Sequence, residues 1–349
     1  MVNILIDITG FFPYKNYGAQ TFILNFFREL DSKNDSSIII ICSKKTLEFL
    51  EFENLKIRAF FIPENLLLRI PYCFILINYL NIKLNPKKIF YPLNISYTWS
   101  NKSLIYLHDL VCLHYISKKF KFKYLKYYLL FLYYKIQFLG NQKIAVPSKY
   151  IKNELNRVFN KENIKVVREG LVFNKKVSSF KKSDNPFIFL INSFNAEHKN
   201  IEDLFLAIKS IGSINKKIEF RFTGHNNLKV KLISNKIKNK NIKIKQTGYL
   251  TEDEMYKQIQ QSDCLIYCSE YEGFGLPVIE AIELKKKIIC SDIEVLREFR
   301  YEGQIFYQNG NYFQLKEKIL LQVKSSNFIS SFKYRELYNW KNLVNFINE

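Results

Sequence analysis

The stretch SEYEGFGLPVIEA, Ser269 to Ala281, decides how the rest of this chain is read. Two carboxylates, Glu272 and Glu280, stand with seven residues between them around Gly273-Phe274-Gly275-Leu276-Pro277. The apolar run CLIYCS before it (264–269) predicts a buried strand, and IEAIELKK after it predicts a helix. Gly273 and Gly275 let the backbone turn tightly and come close to a ligand. The N–H groups of Phe274, Gly275 and Leu276 then sit at a helix start, where partial positive charge favours a phosphate. Pro277 suits the first helical turn, where its missing donor is not needed. About one turn further in, Glu280 is able to accept two hydrogen bonds from vicinal hydroxyls such as those of ribose. Glu272, at the other end of the turn, stands near whatever is attached to the far phosphate.

Outward from this stretch the pattern alternates. Apolar runs at 2–8, 37–43, 56–63, 87–92, 103–109, 142–148 and 164–170 read as strands, with helical periodicity between several of them. NKKVSSFKKSDNP (174–186) is polar, basic and aperiodic, and reads as a linker. The alternation restarts with strands at 186–192, 217–224, 241–248 and 264–269. Two Rossmann-like α/β halves with parallel sheets follow, and ligands of such sheets bind beyond the strands' carboxyl ends. The expected domains are 1–174, 175–328, and an amphipathic helix at 329–349 that packs back toward the first domain.

Composition narrows the classes. With 349 residues, 48% hydrophobic and 24% charged, the chain is globular and long enough for two cores. Its 53 Lys and Arg against 32 Asp and Glu give a formal charge of +21, which draws in polyanions of any kind. The six cysteines form no Cys-x-x-Cys pair and read as reduced core residues. The run HDLVCLH holds too few ligands at metal spacing to predict a metal site. MVNILIDITGFF lacks a basic leader and reads as a strand, not a signal peptide. IPYCFILINYL is too short to span a bilayer, and YLKYYLLFLYYKIQFLG carries two lysines among tyrosines, so no transmembrane anchor is predicted.

The acidic stretch resembles the E-x7-E signature of retaining glycosyltransferases with the GT-B fold, in particular glycosyltransferase family 4. QTGYLTEDEMYKQIQQSDCLIYCSEYEGFGLPVIEA is similar to that family's donor domain, AEHKNIEDLFLAI to its Lys-Asn helix start, and LIYLHDLVCLH to the His-Asp turn of its first domain. The likeness is densest between residues 187 and 292. It implies two Rossmann-like domains with an interdomain cleft. Glu280 would bind the nucleotide ribose and Glu272 the donor sugar's hydroxyls. Phe274, Gly275 and Leu276 would offer amides to sugar or diphosphate, and Lys199 would neutralise the diphosphate as the glycosidic bond breaks. His108 would reach the sugar from the first domain, and Gly18 would lie by the phosphates.

The chain departs from the family at three places. Ser193 and Phe194 replace a glycine-led basic turn, so one phosphate contact is either lost or taken over by His198. Lys285 stands where the family has glycine. VVREGLV keeps only Gly170 of a Val-Pro-Asn-Gly-Val turn.

The activity implied is metal-independent sugar transfer, with retention, from a nucleotide-sugar to an acceptor hydroxyl of a lipid-linked glycan or a lipopolysaccharide or capsule precursor. No Asp-x-Asp occurs to clamp a diphosphate through a metal, and no cofactor is expected. Lysines among aromatics in KKFKFKYLKYYLLFLYYK suit an anionic membrane surface. The expected location is the cytoplasm, peripheral at the cytoplasmic face of the inner membrane. Two rivals stay open: a nucleotide-sugar epimerase of the same fold, and an inactive polyanion-binding protein. Nucleic acid is not an expected partner, because no RNA-binding signature occurs. Donor base, donor sugar, linkage and oligomeric state have no code in the sequence.

Overall fold

In the computed structural model, the described residues are 3–13, 17–31, 38–50, 57–118, 120–170, 186–192, 196–224, 228–237, 239–325 and 337–349. The chain divides into two compact units, Met1–Gly170 with Glu336–Glu349, and Leu171–Arg335. The expected linker at 174–186 lies, apart from its last residue, outside the described residues.

The first unit holds strands β1 (Ile4–Asp7), β2 (Ile38–Cys42), β3 (Ile57–Phe61), β4 (Lys88–Tyr91), β5 (Ser103–Tyr106), β6 (Lys143–Val146) and β7 (Ile164–Val166). They form one sheet, ordered β3-β2-β1-β4-β5-β6-β7, and each described pairing is parallel. β1, β2 and β5 are buried along their whole length, as continuous apolar runs in a sheet covered on both faces require. One face packs on Phe22, Ile23 and Phe26 of the Tyr17–Asp31 helix, the other on Cys73, Ile77 and Leu80 of the Leu66–Leu84 helix.

Asp7 ends β1 at 5% exposure, its Oδ1 accepting the Thr9 amide at 2.9 Å. Burial outweighs that bond and pushes its carboxyl up to about 7.

The second unit holds β8 (Phe187–Asn192), β9 (Ile218–Thr223), β10 (Ile242–Gln246), β11 (Cys264–Tyr267), β12 (Lys287–Ser291) and β13 (Gln304–Tyr307). Their order is β10-β9-β8-β11-β12-β13, again parallel. The alternation read from the sequence stops at β11. Two further strands complete the sheet, one of them behind the run Leu284-Lys285-Lys286-Lys287. Chain order reverses between β8 and β11, so the loops after these two strands flank the topological switch point.

Of the expected terminal segment, residues 329–336 lie outside the described residues; the described helix is Lys341–Asn348, and just before it Asn339 Oδ1 accepts the Lys341 amide at 3.0 Å. Leu343, Val344, Phe346 and Ile347 join the core of the first unit. Lys88 Nζ caps this helix by donating to Ile347 O at 2.6 Å.

Gly170 is held to glycine by the same packing. A Cβ there would press into the Trp340 ring and lie 2.5 Å from the Trp340 backbone nitrogen. Backbone cannot swing aside as a side-chain tip can. Gly170→Ala is therefore expected to cost about 3 kcal/mol and to lower the urea midpoint. A variant unfolding at the parent's midpoint would refute this packing.

Candidate active site

The site in the second unit is built from the two loops at the switch point. After β11, Cys268, Tyr271, Phe274 and Leu276 are buried and pin the acidic turn to the body of the unit. Phe274 packs on Phe299 with ring centroids 5.4 Å apart. Gly275 has φ +112, a value that side chains rarely adopt, and a Cβ on it would lie 3.1 Å from Leu296. Its carbonyl accepts the Val278 amide at 2.9 Å and opens the Leu276–Glu283 helix, with Pro277 in the first turn. The earliest amides of that helix have no carbonyl four residues back, so they point outward as donors.

Lys285 does not disturb the far end of this helix. It takes the left-handed conformation (φ +53) in which glycine is usual, and a Schellman cap forms around it. Lys285 N donates to Ile282 O and Lys286 N to Ala281 O, both at 2.9 Å.

From the β8 side comes Lys199. It is the last residue of a short 3-10 turn, Glu197–Lys199, and Asn200 (φ +43) separates it from the Ile201–Lys209 helix. Asn200 Nδ2 donates to Asp203 Oδ2 at 2.7 Å and to Asn309 Oδ1 at 3.0 Å, which locks this corner. The two loops are also joined by Glu270 N donating to His198 O at 2.7 Å.

Lys199 Nζ meets Glu272 Oε1 at 2.5 Å, with side-chain exposures of only 15% and 12%. The Tyr267 hydroxyl donates to the same oxygen at 2.6 Å and accepts from Lys199 Nζ at 3.3 Å. Burial raises the Glu272 carboxyl, but the Lys199 ammonium, His198 and the bond from Lys199 overcome it, and the group is held below the ordinary carboxylate value. Burial, then Glu272, push the Tyr267 phenol well above its usual value, and Glu280 adds to the rise. Glu280 itself is 1% exposed on the Leu276–Glu283 helix. The structure thus brings together Lys199, His198, Glu272 and Glu280, with Tyr267 as a member that sequence reading missed. Ser193 and Phe194 lie outside the described residues.

Residues 173–336 match the family of glycosyl transferases group 1. An uncharacterized glycosyltransferase of Methanocaldococcus jannaschii is 26% identical over 223 residues, 61% of this chain. The chain spans about 60% of the length of that curated relative. Among solved structures, WaaG, a glycosyltransferase involved in lipopolysaccharide biosynthesis, superposes with a TM-score of 0.71. It is 10% identical, with 99% of this chain and 95% of WaaG covered. Anabaena HepE in complex with UDP-glucose gives a TM-score of 0.64 at 13% identity, covering 93% of this chain and 90% of HepE.

The chain has the GT-B fold of these glycosyltransferase structures.

The other expected site residues belong to the first unit. Gly18, in the first turn of the Tyr17–Asp31 helix, is exposed, and a Cβ there would meet nothing within 4 Å. His108 follows β5 and has both ring nitrogens engaged: Nε2 lies 2.7 Å from Pro92 O and Nδ1 3.1 Å from Glu169 Oε1. Both contacts fix the orientation of the imidazole ring. Phe22 packs edge-on against the His108 ring at 4.4 Å and against Trp340 at 5.4 Å, which places the terminal segment directly behind the histidine. Glu169, 3% exposed, has no sequence signal of its own, since 61 positions separate it from His108.

All six cysteines are buried and outside any disulfide. Burial pushes the Cys290 thiol up to about 12, which suits inert core residues. Among the described residues no cluster of three or more His, Cys, Asp or Glu side chains is arranged to hold a metal ion.

Proposed function

We propose that this chain transfers a glycosyl group from a nucleoside-diphosphate sugar to an acceptor hydroxyl with retention at the anomeric carbon. The reading is carried by the Lys199–Glu272–Tyr267 cluster at the switch point, one loop away from a helix start bearing the buried Glu280. The second unit binds the donor. Glu280 takes the ribose hydroxyls, Glu272 the sugar hydroxyls, and the amides of Phe274, Gly275 and Leu276 the diphosphate. Lys199 and His198 neutralise the charge that grows on the leaving diphosphate, a role that needs no metal. The bond from the anomeric carbon to the diphosphate oxygen breaks, and the acceptor oxygen bonds on the same face. The acceptor's proton passes to the departing phosphate. His108 and Gly18 belong to the first unit, which holds the acceptor.

Because HepE is known with UDP-glucose, a UDP-sugar is the first donor to test. WaaG's role in lipopolysaccharide biosynthesis supports a lipid-linked glycan or a lipopolysaccharide precursor as acceptor.

The test is a thermal-shift screen of UDP-, GDP-, ADP- and dTDP-sugars on the parent and on Glu280→Ala. A donor at about a hundred-fold excess over Kd should stabilise the parent by about 2.7 kcal/mol, and Glu280→Ala should abolish the shift. Glu280→Gln, which keeps the shape of the buried side chain, separates lost binding from lost folding. An undiminished shift in Glu280→Ala would remove the ribose role.

A further inference from the structure

The Leu66–Leu84 and Leu125–Gln137 helices of the first unit each carry an apolar stripe that faces away from the core. On the first, Leu68, Tyr72, Ile75, Tyr79 and Ile82 recur at steps of four and three, and Ile82 is 82% exposed. On the second, Leu125, Leu129, Leu132 and Ile136 repeat the spacing, and Leu139 follows at 79% exposure. Right-handed crossovers from β3 to β4 and from β5 to β6 run the same way across the sheet, so both helices lie on one face. One short segment touches both. Asn78 Nδ2 donates to Tyr97 O at 3.2 Å, and the Trp99 indole, itself 54% exposed, donates to Ile136 O at 3.1 Å.

Charge on this region is strongly one-sided. Residues 65–153 contain fourteen Lys and Arg and a single acid, Asp109; setting aside Arg69, which is buried, and Lys88, which caps the terminal helix, twelve basic residues remain in this region. Lysine stems lie along aromatic rings beside the stripes: Lys83 Nζ is 5.2 Å from the Tyr79 ring, Lys126 4.8 Å from Tyr127 and Lys135 4.9 Å from Phe131. That arrangement keeps ammonium groups at the level of water while apolar side chains go deeper. Exposed apolar stripes of this extent call for a cover. A second copy is disfavoured, because pairing would bring two strongly cationic faces together. A nucleic acid would match the charge but not the leucines and isoleucines.

We infer that this two-helix face, with Trp99 between the helices, docks on an anionic phospholipid surface with its stripes at the headgroup boundary. No helix among the described residues is long and apolar enough to cross a membrane, so the face lies on the bilayer. This inference stands beside the donor reading and does not depend on it.

Flotation of the full chain with phosphatidylcholine vesicles, with and without about one-quarter phosphatidylglycerol, tests it at low and high salt. Binding should need phosphatidylglycerol, weaken with salt, and shift Trp99 emission to the blue; the other tryptophan, Trp340, is buried and stays constant. Ile75→Ser with Ile82→Ser, and separately Leu129→Ser with Leu132→Ser, should each weaken binding about ten-fold. Lys126→Gln should weaken it about five-fold. All these side chains are exposed, so the variants should fold and keep the donor thermal shift, which tells a docking failure from a donor-site failure. Binding indifferent to phosphatidylglycerol, or unchanged in both serine pairs, would overturn the inference. So would a lipid-free dimer that the serine pairs dissociate, or oligonucleotide binding that displaces vesicles and ignores the serine pairs.

Discussion

Lys199→Ala is expected to lower kcat/KM for sugar transfer about 100- to 1000-fold, the usual cost of removing one preorganised charge from a leaving group. The loss should fall mainly on kcat, since charge on the diphosphate is greatest as the bond breaks. The same change strips Glu272 of the ammonium that holds it ionised. In the parent, the lowered Glu272 carboxyl contributes stability that is present above its unfolded value of about 4.5 and disappears as pH falls through the folded value. In the variant burial is no longer outweighed, the carboxyl rises, and stability now falls as pH rises through the new value. The gap between parent and variant should therefore widen from pH 4 to pH 7. A double variant, Lys199→Met with Glu272→Gln, removes both charges together and should fold near parental stability while staying inactive. Lys199→Ala with kcat/KM within about three-fold of the parent would remove the lysine from the transition state.

The second large effect concerns stability. Asp7→Asn is expected to stabilise the first unit by about 4 kcal/mol at pH 8 and by little at pH 4. Burial raises the folded Asp7 carboxyl from 3.8 to about 7. A raised acid favours folding fully only below its unfolded value; that contribution is lost as pH rises through about 7, where a buried carboxylate must ionise. Asparagine keeps an Oδ1 to accept the Thr9 amide and has nothing to ionise. Urea midpoints at pH 4, 6 and 8 should converge at the acid end and separate at the alkaline end. Parallel curves would mean that Asp7 does not titrate between those values.

Strands such as β1, β2, β8 and β11 were legible because a covered parallel sheet demands buried apolar runs, and such runs are local, whereas β10 showed as the alternation Ile-Lys-Ile-Lys. The Gly-Phe-Gly-Leu-Pro turn was legible for a similar reason: a left-handed Gly275 and a proline in a first helical turn are backbone constraints written in neighbouring residues. β12 and β13 were not, since three consecutive lysines mask the first and the second is only partly buried. Composition carried the excess of positive charge, but it could not say where apolar side chains would remain uncovered. The Leu66–Leu84 helix is apolar around most of its circumference, and only the seat of Cys73, Ile77 and Leu80 on the sheet decides that Ile75 and Ile82 face outward. The pairing of Tyr267 with Glu272, the meeting of Glu169 with His108, and the return of Trp340 against Gly170 likewise belong to tertiary structure. Periods of two and of 3.6 residues act between neighbours along the chain. These contacts follow from strand order and helix packing, which join residues that no local pattern relates.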